Sequence, residues 1–259
     1  MTISVAVVGA NGKMGRLATQ IIEGADDLEL FAALGSADGL ERMVGADVVL
    51  DFTVPGSSGA IVEFAIEHDI DVLVGTSGWS ADRIASLNKL VAQHPDVGVV
   101  FVPNFSIGSV LATSFAATAA RFYDSIEIIE AHAATKLDSP SGTATRTAEL
   151  IGQARADAGP VIAPHADQRA RGQQVSSVPI HSLRMQGIVA KQDVILGGLG
   201  EVLTVSHETI SPSSYERGIL LALRRTPSVT GILVGLDRVI DLRGPDGAAG
   251  ETGTAAVDE

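Results

Sequence analysis

The start of the chain constrains its fold more than any other stretch. Residues 3–8, Ile-Ser-Val-Ala-Val-Val, form a short apolar run rich in β-formers. It passes directly into Gly9-Ala-Asn-Gly12-Lys-Met-Gly15, after which Leu17, Ile21 and Ile22 recur at helical spacing. Strand, glycine turn and helix in that order open a dinucleotide-binding fold. The first glycine makes the turn, the second admits a pyrophosphate, and the third lets the helix approach the sheet. The spacing is Gly-x-x-Gly-x-x-Gly rather than Gly-x-Gly-x-x-Gly, so position between strand and helix carries the argument.

Further strands are expected at residues 28–34, 48–52, 72–75 and 97–102, with helical segments at 58–67 and 81–92 between them. This alternation predicts a doubly wound parallel sheet of Rossmann type. Two of its strand ends carry unusual loops, Gly75-Thr-Ser-Gly78-Trp79 and Pro103-Asn-Phe-Ser-Ile-Gly108. Ligands of such sheets sit beyond the carboxyl ends of the strands, so both loops should face a cofactor. An NAD-binding fold places an acid near the end of the second strand. Here Gly35 and Ser36 stand there, the nearest acid, Asp38, falls late, and Lys13 and Arg16 could attract a 2′-phosphate. The expected cofactors are therefore NADPH, NADH or both.

The chemistry is expected between Glu130 and Ala144. Ile126, Ile128 and Ile129 lead in as a buried strand, and Ser139-Pro140 reads as an N-cap followed by proline at the first helical position. The N–H groups of Ser141, Gly142 and Thr143 would then lie unpaired at a positive helix end, a site for a carboxylate or phosphate. His132 and Lys136 precede it, a donor that titrates near neutrality and a fixed positive charge. Singly, each has an ordinary structural explanation. Together they suit an anionic substrate that must be protonated.

Composition removes several function classes. A formal net charge of −13 without a Lys/Arg cluster disfavours nucleic acid. The chain has no cysteine and six scattered histidines, so no metal site is expected. No apolar run reaches membrane-spanning length and no leader pattern is present, so a soluble cytoplasmic protein is expected. With 259 residues, one large or two modest domains are anticipated. Residues 178–208 are extended runs joined by glycine turns, which predicts an antiparallel or mixed sheet in a second domain, with one face free for a subunit interface. Residues 159–174 read as a polar, mobile loop, 215–224 as an amphipathic helix and 231–235 as a last strand returning to the first sheet. The residues from 243 onward, Gly, Ala, Thr and acids, read as a disordered tail.

Taken in order, Gly9-x-x-Gly12-x-Met-Gly15-Arg16, Asp51-Phe-Thr, Gly75-Thr-x-Gly78, Pro103-Asn-Phe-Ser-Ile-Gly and Glu130-x-His-x-x-x-Lys-x-Asp-x-Pro-Ser-Gly-Thr-Ala resemble the 4-hydroxy-tetrahydrodipicolinate (dihydrodipicolinate) reductase family. The resemblance runs from residue 3 to about 242. It implies NAD(P)H-dependent reduction of a cyclic imine dicarboxylate in the diaminopimelate route to lysine. It also implies a dinucleotide-binding domain at 1–104 and 216–242, a substrate and tetramerisation domain of α+β type at 105–215, and a homotetramer. By motif, Gly9, Ala10, Asn11, Gly12, Lys13 and Met14 would cradle the pyrophosphate. Gly75, Thr76 and Ser77 would line the nicotinamide side with Val102, Pro103, Asn104 and Phe105. His132 would donate the proton, Lys136 would be a second donor and carboxylate partner, and Gly142 and Thr143 would anchor a substrate carboxylate. The chain departs from the pattern at Ala133, where the family usually has a second histidine. Thr135, Arg184 or Lys191 could compensate for it. The alternatives are a related reductase of another small imine or keto dicarboxylate, or a non-catalytic nucleotide-binding module.

Overall fold

The computed structural model describes residues 2–240; the expected tail, 243–259, lies outside them. The chain runs β1 (Ile3–Val8), α1 (Lys13–Glu23), β2 (Leu28–Leu34), β3 (Val48–Asp51), α2 (Pro55–Glu67), β4 (Asp71–Val74), α3 (Ala81–Ser86), α4 (Asn88–Val91) and β5 (Gly98–Phe101). It continues through α5 (Ile107–Ala119), β6 (Ser125–Ala133), α6 (Gly142–Ala154), β7 (Gln173–Val175), β8 (Val178–Met185), β9 (Ala190–Gly198), β10 (Glu201–Thr209), α7 (Glu216–Arg225), β11 (Gly231–Val234) and α8 (Leu236–Val239).

Six strands form one sheet in the order β11-β5-β4-β3-β1-β2, every pairing parallel. Helices cover both faces, so its inner strands read as unbroken apolar runs, Val-Val-Leu in β3 and Val-Val-Phe in β5, with no polar alternation. One face packs Val5, Val7 and Leu50 against Ala18 and Ile22 of α1 and Ile219 and Leu223 of α7. The other packs Val49, Val72 and Val99 against Ile61, Val62 and Ile66 of α2.

The second sheet has the order β10-β9-β6-β8-β7 and is mixed, as expected: β6 and β8 are parallel and the other pairings antiparallel. Ile126 and Ile128, with Ile180, Val194 and Leu196, pack beneath Ala116 and Ala120 at the α5 end and Ala144, Ala148 and Ile151 of α6. The opposite face leaves Leu183, Met185 and Val202 exposed.

Three local expectations are corrected. The helix anticipated over 81–92 is two, α3 and α4, parted at Leu87, where the Ser86 hydroxyl donates to the Arg83 carbonyl at 2.7 Å and competes with the backbone ladder. The cap of α6 is Ser141, not Ser139. Its hydroxyl accepts the Ala144 N–H at 3.2 Å, and Gly142 is the first helical residue. The stretch 159–174 is not uniformly loop. Arg171 lies in a short 3₁₀ turn and grips Glu127 of β6, and β7 begins at Gln173.

Candidate active site

The N-terminal loop is shaped by close backbone approach. Gly9 has φ +85°, and a Cβ there would lie 2.4 Å from the Phe52 carbonyl oxygen, so only glycine fits. A Cβ on Gly15 would lie 2.1 Å from the Gly9 oxygen, which is the close packing of helix against turn. Gly12 caps α1 without a side-chain bond, leaving the first-turn N–H groups of an 11-residue helix free for an anion. Arg16 is already engaged, donating from Nε and Nη2 to the Asn11 carbonyl at 2.9 and 2.7 Å.

The end of β2 differs from expectation. Residues 35–38 fold back in a turn, and the Asp38 carboxylate accepts the Gly35 N–H at 2.8 Å and pairs with Arg42. Asp38, which falls late by residue count, is thus brought back by three positions to the strand end. The Gly35 N–H, with Arg42, holds its carboxyl below the usual carboxylate range.

The two loops expected at the nicotinamide side behave differently from each other. Gly75 is required by packing: a Cβ would meet the Phe52 ring at 2.1 Å and the Phe105 ring at 2.8 Å. Those rings meet edge to face with centroids 5.4 Å apart. Val102, Phe105 and Thr76 are buried, whereas Ser77 and Pro103 are exposed. Asn104 reaches toward the second sheet, donating to Ser109 Oγ at 3.0 Å and to Thr143 Oγ1 at 3.4 Å.

His132 stands at the end of β6 on the helix-covered face, its Nδ1 2.6 Å from Oε2 of the fully buried Glu130. Glu130 also receives the Ser141 N–H at 3.2 Å and both terminal nitrogens of Arg184, at 2.9 and 2.8 Å. Burial opposes its ionisation, but hydrogen bonds from Arg184, Ser182 and His132 outweigh that and hold its carboxyl below the usual range. His132, Ser141 and Thr143 line one narrow cavity with Asn104, Gln192 and His207. Lys136 and Gly142 are not on its wall; Lys136 Nζ pairs instead with Asp138 at 2.8 Å.

Gln192, His207 and Tyr215 of the cavity wall were not singled out from the sequence. A signal existed: Gln192 lies two residues before Val194 and four before Leu196, polar at a position where the strand's alternation calls for an apolar residue. Burial lowers the pKa of His207, which keeps it neutral and able to meet the Ser106 hydroxyl at 3.1 Å. A larger open groove at the far end of α6 has no comparable chemistry, because its Arg155 is spent on the carbonyls of Ala120, Tyr123 and Gly159.

Two family models match, dihydrodipicolinate reductase N-terminus over residues 3–105 and dihydrodipicolinate reductase C-terminus over residues 108–240. The chain belongs to the dihydrodipicolinate reductase family. A 4-hydroxy-tetrahydrodipicolinate reductase of Clavibacter michiganensis is 60% identical over 100% of this chain and 95% of its own length. One from Streptomyces griseus is 46% identical over 93% and 98%. A dipicolinate-bound dihydrodipicolinate reductase from Paenisporosarcina sp. TG-14 superposes with a TM-score of 0.80 at 29% identity, covering 92% of this chain and 99% of that one.

Membership sharpens the question of Ala133. Ala133 pairs with Met185 across the β6–β8 ladder and is not among the residues lining the cavity. Of the three suggested substitutes for the family's second histidine, Arg184 is committed to Glu130 and the Asp138 carbonyl, and Lys191 to Asp193 at 3.0 Å. Thr135 is exposed on the loop beyond the strand.

Proposed function

We propose that this chain is an NAD(P)H-dependent 4-hydroxy-tetrahydrodipicolinate reductase, forming tetrahydrodipicolinate in the diaminopimelate route to lysine. One observation carries the reading. A carboxylate-held histidine and the N-terminus of α6 share a cavity beside Asn104, which leads from the strand ends of the first sheet. The Gly142 and Thr143 N–H groups take one carboxylate of the substrate, aided by the 13-residue helix behind them. Lys136 exchanges Asp138 for a substrate carboxylate and adds positive charge where negative charge develops.

A bound nicotinamide supplies hydride to the electron-poor carbon conjugated to the imine. His132 then gives the proton from Nε2 to the ring carbon that has become enamine-like, a C–H bond forming as the N–H bond breaks. When the cofactor is bound, Gly9 to Met14 would hold its pyrophosphate through backbone N–H groups. Gly75, Thr76 and Ser77, with Val102, Pro103, Asn104 and Phe105, would line the nicotinamide side. Asp38 at the end of β2 offers its carboxylate to the ribose hydroxyls, so NADH is preferred and NADPH still accepted.

The two halves of the chain divide the work, 1–104 with 216–242 for the cofactor and 105–215 for substrate and assembly. The exposed Leu183, Met185 and Val202 on the open sheet face support a homotetramer built through that face. No described helix is long and apolar enough to cross a membrane, and the reading assigns a cytoplasmic enzyme. The assay couples aspartate semialdehyde and pyruvate through the preceding synthase and follows loss of NAD(P)H absorbance. Turnover is expected with both cofactors; none in the presence of active synthase would remove the reading.

A further inference from the structure

Glu130 is the least replaceable group around the cavity. It is fully buried and does not itself line the cavity. Oε2 receives His132 Nδ1 at 2.6 Å and Arg184 Nη1 at 2.9 Å, while Oε1 receives Arg184 Nη2 at 2.8 Å and the Ser141 N–H at 3.2 Å. These four come from three segments: the acid's own strand, the parallel neighbour β8, whose Ser182 also supports the carboxylate, and the cap of α6. Arg184 extends the network by donating to the Asp138 carbonyl at 2.6 Å, and the Asp138 side chain holds Lys136.

We propose that Glu130 and Arg184 are positioning residues for the proton transfer: their buried pair holds His132 by Nδ1, leaves Nε2 toward the cavity, and ties the acid to the helix end that anchors the substrate. The inference rests on His132 being the proton donor. A carboxylate on Nδ1 fixes which nitrogen can donate and stabilises the imidazolium that must be present before transfer. Arg184 keeps that fully buried carboxylate ionised, since an unpaired buried carboxylate would take up a proton instead. Because Glu130 also accepts the Ser141 N–H, the distance between acid and anchor is set by one side chain. A small misplacement of either would be felt mainly in the transition state.

The other charged or titratable groups facing His132 do not duplicate this role. Lys136 and Asp138 on the following loop pair with each other, Lys191 of β9 pairs with Asp193, and His207 of β10 is kept neutral by burial and meets Ser106. Among the described contacts, Nδ1 of His132 meets Glu130 alone.

The test uses the full chain with NADH and follows kcat and KM from neutral to alkaline pH. Glu130→Gln preserves shape and removes the charge. It should lower kcat about 10- to 100-fold, leave KM within about threefold, and move the alkaline fall of kcat to lower pH by about one unit. Glu130→Asp keeps the charge but withdraws the oxygens, and should lower kcat severalfold with the wild-type pH profile. A folded Glu130→Gln whose pH profile is unmoved, or which changes KM alone, overturns the proposal. Should Glu130→Gln fail to fold, the double variant Glu130→Gln/Arg184→Met removes both charges of the pair, with the same direction of shift expected and the same result overturning. His132→Gln separates the premise from the proposal. If it leaves kcat unchanged, the donor role itself is lost; if it abolishes turnover while Glu130→Gln behaves as wild type, only the positioning role falls.

Discussion

The two sheets solve different problems with the same materials. In the parallel sheet, strands are buried on both faces, and whatever the chain offers a ligand lies in the loops beyond the strand ends: the glycine turn at 9–15, Asp38, and Asn104. The glycines there are fixed by close approach rather than by side-chain chemistry. In the mixed sheet one face is covered and one is open, so strands alternate, and the side chains beside the cavity project from the strand itself. Glu130 and His132 are two residues apart on β6 and share a face for that reason. The first region offers shaped backbone, the second side-chain charge. Substitutions should therefore fail differently in the two.

The largest effect is expected in the second region. His132→Gln should lower kcat by roughly 10²–10⁴ with little change in KM, because a general acid acts mainly in the transition state. Steady-state kinetics at saturating cofactor test this, and a rise in KM alone would make His132 a binding residue. The counterpart in the first region is Gly15→Ala. With 2.1 Å between the new Cβ and the Gly9 oxygen, helix α1 must move off the turn. Overpacking of this kind costs about 1–3 kcal/mol, and weaker cofactor binding should accompany a lower Tm. A variant with wild-type Tm and cofactor affinity would show that the turn yields freely.

What the sequence made legible follows the same division. The parallel sheet was readable because its signals are local: apolar strands, glycine turns and helical spacing all lie within a dozen residues. Asp38 fell late when counted along the chain, whereas the turn at Gly35 shortens its distance from the strand end in space. The cap of α6 was set two residues early because Ser139-Pro140 and Ser141-Gly142 both resemble helix starts, and only the Ser141 hydroxyl reaches the N–H three residues on. In the mixed sheet His132 and Lys136 were legible by motif. The Glu130–Arg184 pair was not, since it spans 54 positions and depends on β6 lying parallel to β8 with His132 opposite Arg184. No periodicity in a single sequence encodes that register.

A smaller effect is expected at the rim of the first region. Asp38→Asn removes the negative charge at the end of β2 while keeping an acceptor for the Gly35 N–H. It should shift the ratio of kcat/KM for NADPH over NADH upward by about tenfold, some 1.4 kcal/mol. An unchanged ratio would mean that the carboxylate does not meet the ribose and that Lys13 dominates the choice.

The smallest effect probes the open face of the second sheet. Glu127 on that face accepts from Arg171 and lies 2.7 Å from His181 Nε2. Burial raises its carboxyl's pKa, but the hydrogen bonds from Arg171 and His181 more than reverse that, so the folded value lies below the ordinary 4.5. A group that loses its proton more readily when folded stabilises the fold fully above about pH 4.5, and that stabilisation disappears as pH falls through the lower folded value. Glu127→Gln should therefore reduce stability at neutral pH and match the wild type in strong acid. With both partners about 30% exposed, the loss should be about 0.5–1 kcal/mol, or 1–3 °C in Tm. If the open face is covered in a tetramer, the pair is further removed from solvent, and the same substitution should cost several times more and become sensitive to protein concentration. A thermal melt repeated over a range of protein concentrations at neutral and acid pH distinguishes the cases. A small, concentration-independent loss would place Glu127 on a surface that remains in water and move the assembly contact elsewhere.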